Sequence, residues 1–243
     1  MTIQFTVNGK RHRVDVDGSE TLRAMLVRLG YTNVRDSDDG DGFAGSDTII
    51  FTVLPVYATL MNAVQGDGGE ILTADSMGNS RNLNPVQRAM IDAGVVQSAY
   101  NAPQAALLLT WLLKHEPNPT RERIKEVLSG IFIRDAGYEH YYLAVQLARE
   151  LIEFGKYKTP ISPTFRDHLT YVGKPKGKVD GPTLVAGEAA FVEDRLHAGY
   201  YSMAILRSPH AMAYITEIDT AKAEALEGVV AVITHKNVPD VYY

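Results

Sequence analysis

Polar and apolar residues alternate from the start of the chain. Ile3, Phe5 and Val7 face one way and Thr2, Gln4 and Thr6 the other, the period-two pattern of a half-buried strand. Asn8-Gly9 follows as a two-residue hairpin signal, and Arg11 to Val16 alternates again as the return strand. The period then lengthens. Leu22, Met25, Leu26 and Leu29 share one face of a short helix over Thr21 to Leu29, with Ser19 as its cap and Gly30 as its stop. Thr48 to Val53 reads as a strand. Gly66-Asp67-Gly68-Gly69 and Asp75 to Asn79 read as turn and loop. Asn84-Pro85 opens a helix with Val86, Met90 and Ile91 inward. Pro103 to Leu113 is apolar nearly all round, the mark of a central helix in a small bundle. Thr120 to Leu128 and Gly137 to Phe154 supply two more helices. Lys156 to Thr170, with Pro160 and Pro163, has no period and reads as an extended linker. Beyond it the pattern predicts strands at Met203 to Leu206, Tyr214 to Ile218 and Val229 to Thr234, and a short helix at Thr220 to Leu226.

The pattern therefore predicts an α+β chain in three parts, at 1–76, 77–157 and 158–243. An apolar fraction of 45% and a charged fraction of 22% over 243 residues suit a globular core. The net charge of −5 carries no basic block, so nucleic acid is not an expected partner. No run approaches the roughly 20 apolar residues of a membrane span, and the N-terminus reads as a strand rather than a leader. The expected location is the cytoplasm. The chain has no cysteine. Thiolate-held zinc and thiolate-held iron–sulfur clusters therefore have no ligands in it.

Candidate chemistry is sparse. Asp36, Asp38, Asp39, Asp41 and Asp47 are hard oxygen donors suited to Ca²⁺ or Mg²⁺, but their order does not match an EF-hand, and a solvated acidic loop is the simpler reading. Tyr138, His140, Tyr141 and Tyr142 form an aromatic run on a helix, which reads as core and rim packing. His115 reads as a partner of a helix C-terminus, and His12 lies on an exposed-looking strand. Arg207 and His210 offer a substrate-charge partner and a base. The simpler reading there is a strand-to-turn corner. No catalytic residue and no metal ligand is assigned.

Two stretches carry a family resemblance. Val96-Gln97-Ser98-Ala99-Tyr100-Asn101-Ala102-Pro103 and Leu128-Ser129-Gly130-Ile131-Phe132-Ile133-Arg134-Asp135-Ala136-Gly137-Tyr138 resemble the second iron–sulfur motif of the xanthine dehydrogenase/aldehyde oxidase family of molybdenum hydroxylases. The frame is kept and each cysteine is replaced. Asp38-Asp39-Gly40-Asp41-Gly42-Phe43-Ala44-Gly45-Ser46-Asp47-Thr48 resembles the family's first cluster loop. Residues from Tyr171 onward, including Gly187-Glu188-Ala189 and Arg207-Ser208-Pro209-His210, are similar to the start of the molybdenum subunit.

The resemblance implies a β-grasp, ferredoxin-like domain, then a four-helix bundle, then an a/b hammerhead. It places Asp39, Ala44, Asp47 and Thr59 at the ligand positions of one [2Fe–2S] cluster. It places Ser98, Asn101, Ile133 and Asp135 at those of the other. Phe43 is the expected plug of the first cavity. Gln97 matches a glutamine that contacts the pterin. The chain is expected to bind no cofactor itself, with molybdopterin requiring further sequence of which this would be the N-terminal portion. It looks most like a cysteine-free subgroup described as probable hypoxanthine oxidases and linked with selenate reduction. The implied function is a scaffold in a hydroxylase acting on a purine or related heterocycle. Its partners would be the remaining molybdenum-binding portion and a flavin or other redox protein. The alternative is a non-catalytic module that positions subunits.

Overall fold

The computed structural model describes residues 1–36, 40–161, 169–172, 176–195 and 199–239. The chain divides into two compact units, Met1–Arg195 and Leu196–Tyr243.

The first unit opens with strands β1 (Thr2–Val7) and β2 (Lys10–Asp15), joined by Asn8 at φ 49° and Gly9 at φ 80°. This is the mirror-image turn that matches strand twist. Helix α1 (Leu22–Arg28) follows. Its cap is Thr21, whose side chain accepts from the Ala24 amide at 3.1 Å, and not Ser19 as the sequence suggested. Ser19 instead bonds back to Asp17, so its hydroxyl is used before the helix begins. Strands β3 (Thr48–Phe51), β4 (Leu54–Tyr57) and β5 (Glu70–Leu72) complete a five-stranded sheet in the order β2-β1-β5-β3-β4. β1 and β5 run parallel and the other neighbours antiparallel. α1 packs on one face, burying Leu22, Met25 and Leu26 against Ile3, Phe5, Ile49 and Ile71, as expected of a β-grasp. His12 is not merely exposed: its ring stacks on Phe5 and its Nε2 lies 2.8 Å from the Tyr31 hydroxyl.

Four helices follow: α2 (Pro85–Asp92), α3 (Ala102–His115), α4 (Arg121–Leu128) and α5 (Tyr138–Phe154). Asn84 and Gln87 cap α2 reciprocally, side chain to backbone, at 2.8 and 3.0 Å. Thr120 caps α4 through the Arg123 amide. α3 is central, with Ala105, Leu109 and Leu112 fully buried among Met90, Ile124 and Leu147. A smaller cluster of Ile50, Leu107, Leu108 and Ile131 joins sheet to bundle. The Trp111 indole reaches across the same junction and donates to the Val53 carbonyl at 2.9 Å.

The expected linker is anchored where it is described. The Tyr157 hydroxyl donates to Asp92 at 2.5 Å, and Thr159 bonds Glu150 through backbone and side chain. Residues 162–168 of that stretch, and 173–175 of the part that resembles the start of the molybdenum subunit, lie outside the described residues. A short helix α6 (Gly181–Val185), which the pattern did not predict, packs on α2 and α3.

In the second unit the one described helix is α7 (Ala221–Glu224), shorter than expected. The strands predicted at 203–206, 214–218 and 229–234 do not form. Their apolar side chains stand open, Leu206 fully and Tyr214 at 94%. A strand is held by ladder bonds to a neighbour, and no described residue of this unit supplies one.

Candidate functional site

The sheet and the bundle meet where two loops press together, residues 40–47 and 128–133. Both contain the positions that the sequence singles out. Asp41 accepts the Phe43 amide at 2.8 Å and starts a tight turn. At Gly45, φ 70°, an added Cβ would overlap the Gly130 carbonyl oxygen, so the loops touch backbone to backbone. The Tyr57 hydroxyl donates to that same oxygen at 2.9 Å. Burial raises the Tyr57 pKa, and Asp47 nearby raises it further.

The side chains at the singled-out positions are engaged. The Asn101 amide Nδ2 donates to the Ala44 carbonyl at 2.7 Å, linking a position of one group to a position of the other. The Thr59 amide donates to Asp47 Oδ2 at 2.7 Å, linking two positions within the first group. Asp47 is 2% exposed, and its Oδ1 has no hydrogen-bond partner among the described residues. The Ser98 hydroxyl accepts the Tyr100 amide at 3.1 Å. Ile133 packs on the cluster of Ile50, Leu107, Leu108 and Ile131. Asp135 acts at a distance. Burial pushes the Tyr141 phenol up to about 12, with Asp135 and then Tyr138 adding to it. Asp39 lies outside the described residues.

Phe43 does not plug a cavity. It is 63% exposed and packs its ring 4.8 Å from that of Phe132, itself 65% exposed. On either side of it, Gly42 packs on the Tyr57 and Leu60 side chains and Gly45 on the Gly130 backbone and the Ile131 side chain. Nor do the described acidic residues converge on an ion. Asp36 pairs with Arg23 at 3.3 Å, Asp41 caps the turn and Asp47 takes Thr59. Among the described residues no group of three or more His, Cys, Asp or Glu could hold a metal.

Gln97 lies apart from this junction, exposed, on the 94–101 loop. Its side-chain amide donates to the Gly94 carbonyl at 3.0 Å, and its backbone carbonyl accepts Lys178 Nζ at 3.2 Å. Sequence reasoning missed Arg35, Tyr57 and Gly130 as working parts of this region. Gly45 and Gly130 were visible as motif glycines, but their use as a mutual contact is a tertiary fact. Arg207 and His210 fall in the second unit with their side chains exposed, and the Ser208 hydroxyl accepts the His210 amide.

Comparison with known proteins gives these positions a context. Residues 73–146 match the model of the [2Fe-2S] binding domain. Residues 186–243 match that of the aldehyde oxidase and xanthine dehydrogenase a/b hammerhead domain. The chain is 48% identical to the probable hypoxanthine oxidase of Escherichia coli (strain K12) over all 243 residues, which are 25% of that protein. It is 30% identical to the nicotinate dehydrogenase small FeS subunit of Eubacterium barkeri over 151 residues, 62% of this chain and 96% of that one. Aldehyde oxidoreductase from Desulfovibrio desulfuricans superposes with a TM-score of 0.75 at 25% identity, over 98% of this chain and 27% of that one. The chain thus spans about a quarter of the length of its full-length relative. The relatives include both larger polypeptides and separate small subunits.

These matches correct the expectation that the chain binds no cofactor itself. The domain model over 73–146 and the FeS subunit both point to a 2Fe–2S cluster as the cofactor of this fold. The donor set does not fit one held by thiolates. None of the 243 residues is cysteine, and the described positions that the resemblance puts at the cluster ligands carry Ala44, Asp47, Thr59, Ser98, Asn101, Ile133 and Asp135. Soft sulfur ligands hold such cores, and these side chains offer none.

Proposed function

Because the chain belongs to the xanthine dehydrogenase and aldehyde oxidase family, we propose that it is the scaffold portion of a molybdenum hydroxylase in which both iron–sulfur positions have become packing. The reading rests on one observation. Asn101 bonds Ala44 and Thr59 bonds Asp47, and the resemblance puts all four at cluster-ligand positions. Bridging such positions is what an inorganic core would otherwise do. Residues 1–76 and 77–157 are then the two former cluster-holding parts, and 158–243 leads into the molybdenum part.

The 48% identity to a probable hypoxanthine oxidase favours a purine or related heterocycle as substrate. Gln97 is the residue of this chain that we place against the pterin edge. Its amide can both donate and accept there, once it releases the bond to its own turn. Electrons then leave the reaction by another exit, a flavin or other redox partner.

The test is metal and sulfide analysis of the whole protein, purified from molybdate-replete cells and assayed for heterocycle hydroxylation with an added acceptor. The reading expects molybdenum and turnover without stoichiometric acid-labile sulfide. Stoichiometric iron and sulfide, with the visible bands of such cores, would overturn the scaffold role. Protein without molybdenum would leave a module that positions subunits.

A further inference from the structure

Arg35 gathers three separate segments. Its Nη1 donates to the Ala99 carbonyl at 2.9 Å, and its Nη2 donates to the Gly187 carbonyl at 2.8 Å and to Asn33 Oδ1 at 3.1 Å. The guanidinium carbon lies 5.9 Å from the centre of the Tyr100 ring and 5.5 Å from that of Phe191, and the two rings are 5.3 Å apart. All the hydrogen-bond acceptors are neutral. A guanidinium drawn partly out of water needs its full set of acceptors and ring faces, since each supplies only part of what solvent gave. Burial lowers its pKa, while Tyr100, Asp194 and Asp75 act the other way.

The segment from Lys178 to Phe191 lies over this group like a strap. Gly187, at φ 73°, sits so close that an added Cβ would overlap the Asn33 amide. Glu188 accepts from Ser80, and Val185 O accepts Gln87 Nε2 at 3.4 Å. The strap also meets the 94–101 loop through Lys178, which donates to the Gln97 carbonyl.

We propose that Arg35 is a positioning residue that couples the seating of the 178–191 strap to the placement of the 94–101 loop, so that Gln97 is presented in one arrangement only while the strap is down. The coupling is reciprocal, as any linkage between two segments sharing one group must be. Its functional meaning rests on the proposed role of Gln97, but the coupling itself does not.

Hydrogen exchange of the 243-residue chain reads it. Gly187→Ala lifts the strap without touching the loop, and amides of 95–101 should then exchange about tenfold faster, a typical coupling between linked sites. Arg35→Lys keeps the charge but loses the fork, and should loosen both segments while strands β1 and β5 and helix α3 keep their protection. Methylguanidinium added to Arg35→Ala should restore protection to both. Should Gly187→Ala fail to fold, Glu188→Ala frees the strap from Ser80, away from the loop, and tests the same link. The proposal is overturned if strap variants free 186–191 and leave 95–101 unchanged, or if Arg35→Lys loosens neither. Pterin affinity of the whole protein carrying Gln97→Ala is a separate measurement. A null result there sinks the role of Gln97 and leaves the coupling standing.

Discussion

Asn101 and Ala44 stand 57 residues apart in the chain and are joined by a 2.7 Å hydrogen bond, amide to carbonyl, across the junction of sheet and bundle. Asn101 is 3% exposed, so its replacement by alanine removes this cross-junction bond and leaves the space of a buried amide unfilled. Asn101→Ala should destabilise the chain by about 1–3 kcal/mol. Asn101→Asp should do worse, because a carboxylate has no proton to offer and faces an oxygen. Calorimetry on the two variants checks the order. Equal melting temperatures for Asn101→Ala and the parent would deny the bond its role.

Gly45 carries two constraints, a left-handed backbone and contact with Gly130. Gly45→Ala should therefore lose about 1–2 kcal/mol from conformation alone, and more from the overlap. Gly18→Ala is the control, since its Cβ would meet nothing within 4 Å. Denaturant titration should separate the two variants clearly.

Phe43 discriminates between a plug and a surface ring. Truncating a buried phenylalanine removes about 3–5 kcal/mol. An exposed ring pair such as Phe43 with Phe132 holds about 0.5–1.5 kcal/mol. Phe43→Ala should fall in the lower range, and a loss in the upper range would restore the plug.

Alkaline titration should find a late-ionising group of tyrosines. The Tyr141 phenol is raised to about 12, first by burial and then by Asp135 and Tyr138. Tyr157 is raised by burial and by its bond to Asp92, and Tyr57 by burial and Asp47. A phenol whose folded pKa exceeds its unfolded value adds stability that is whole below about pH 10 and lost as pH climbs through the folded value. Unfolding by base should therefore set in above pH 10. Tyr141→Phe should weaken that dependence, and absorbance of tyrosinate measured beside circular dichroism would report it.

Much of the fold could be read from local signals. Asn84 with Pro85, Thr120 and the Asn8-Gly9 turn act through neighbours three or four residues away, so spacing alone exposes them. The stretch of α3 that is apolar nearly all round announced its central position by the same logic. The site was legible as a set of positions but not as an arrangement. Nothing in the order of residues tells that Asn101 meets Ala44, or that Phe43 turns outward. The structural role of Arg35 was hidden in the sequence, because its partners Ala99 and Gly187 offer only backbone. The strands expected between Met203 and Thr234 have suitable side chains. A strand, however, is a relation between two segments, and periodicity reports only one of them. Ser19 and Thr21 are both good caps, and only the geometry of Asp17 decides between them.

The indole of Trp111 donates to the Val53 carbonyl across the same junction, and this chain has one tryptophan. Its emission is therefore an optical gauge of whether β-grasp and bundle remain seated on each other. A red shift that precedes the loss of helical ellipticity would report the two halves parting before either one melts.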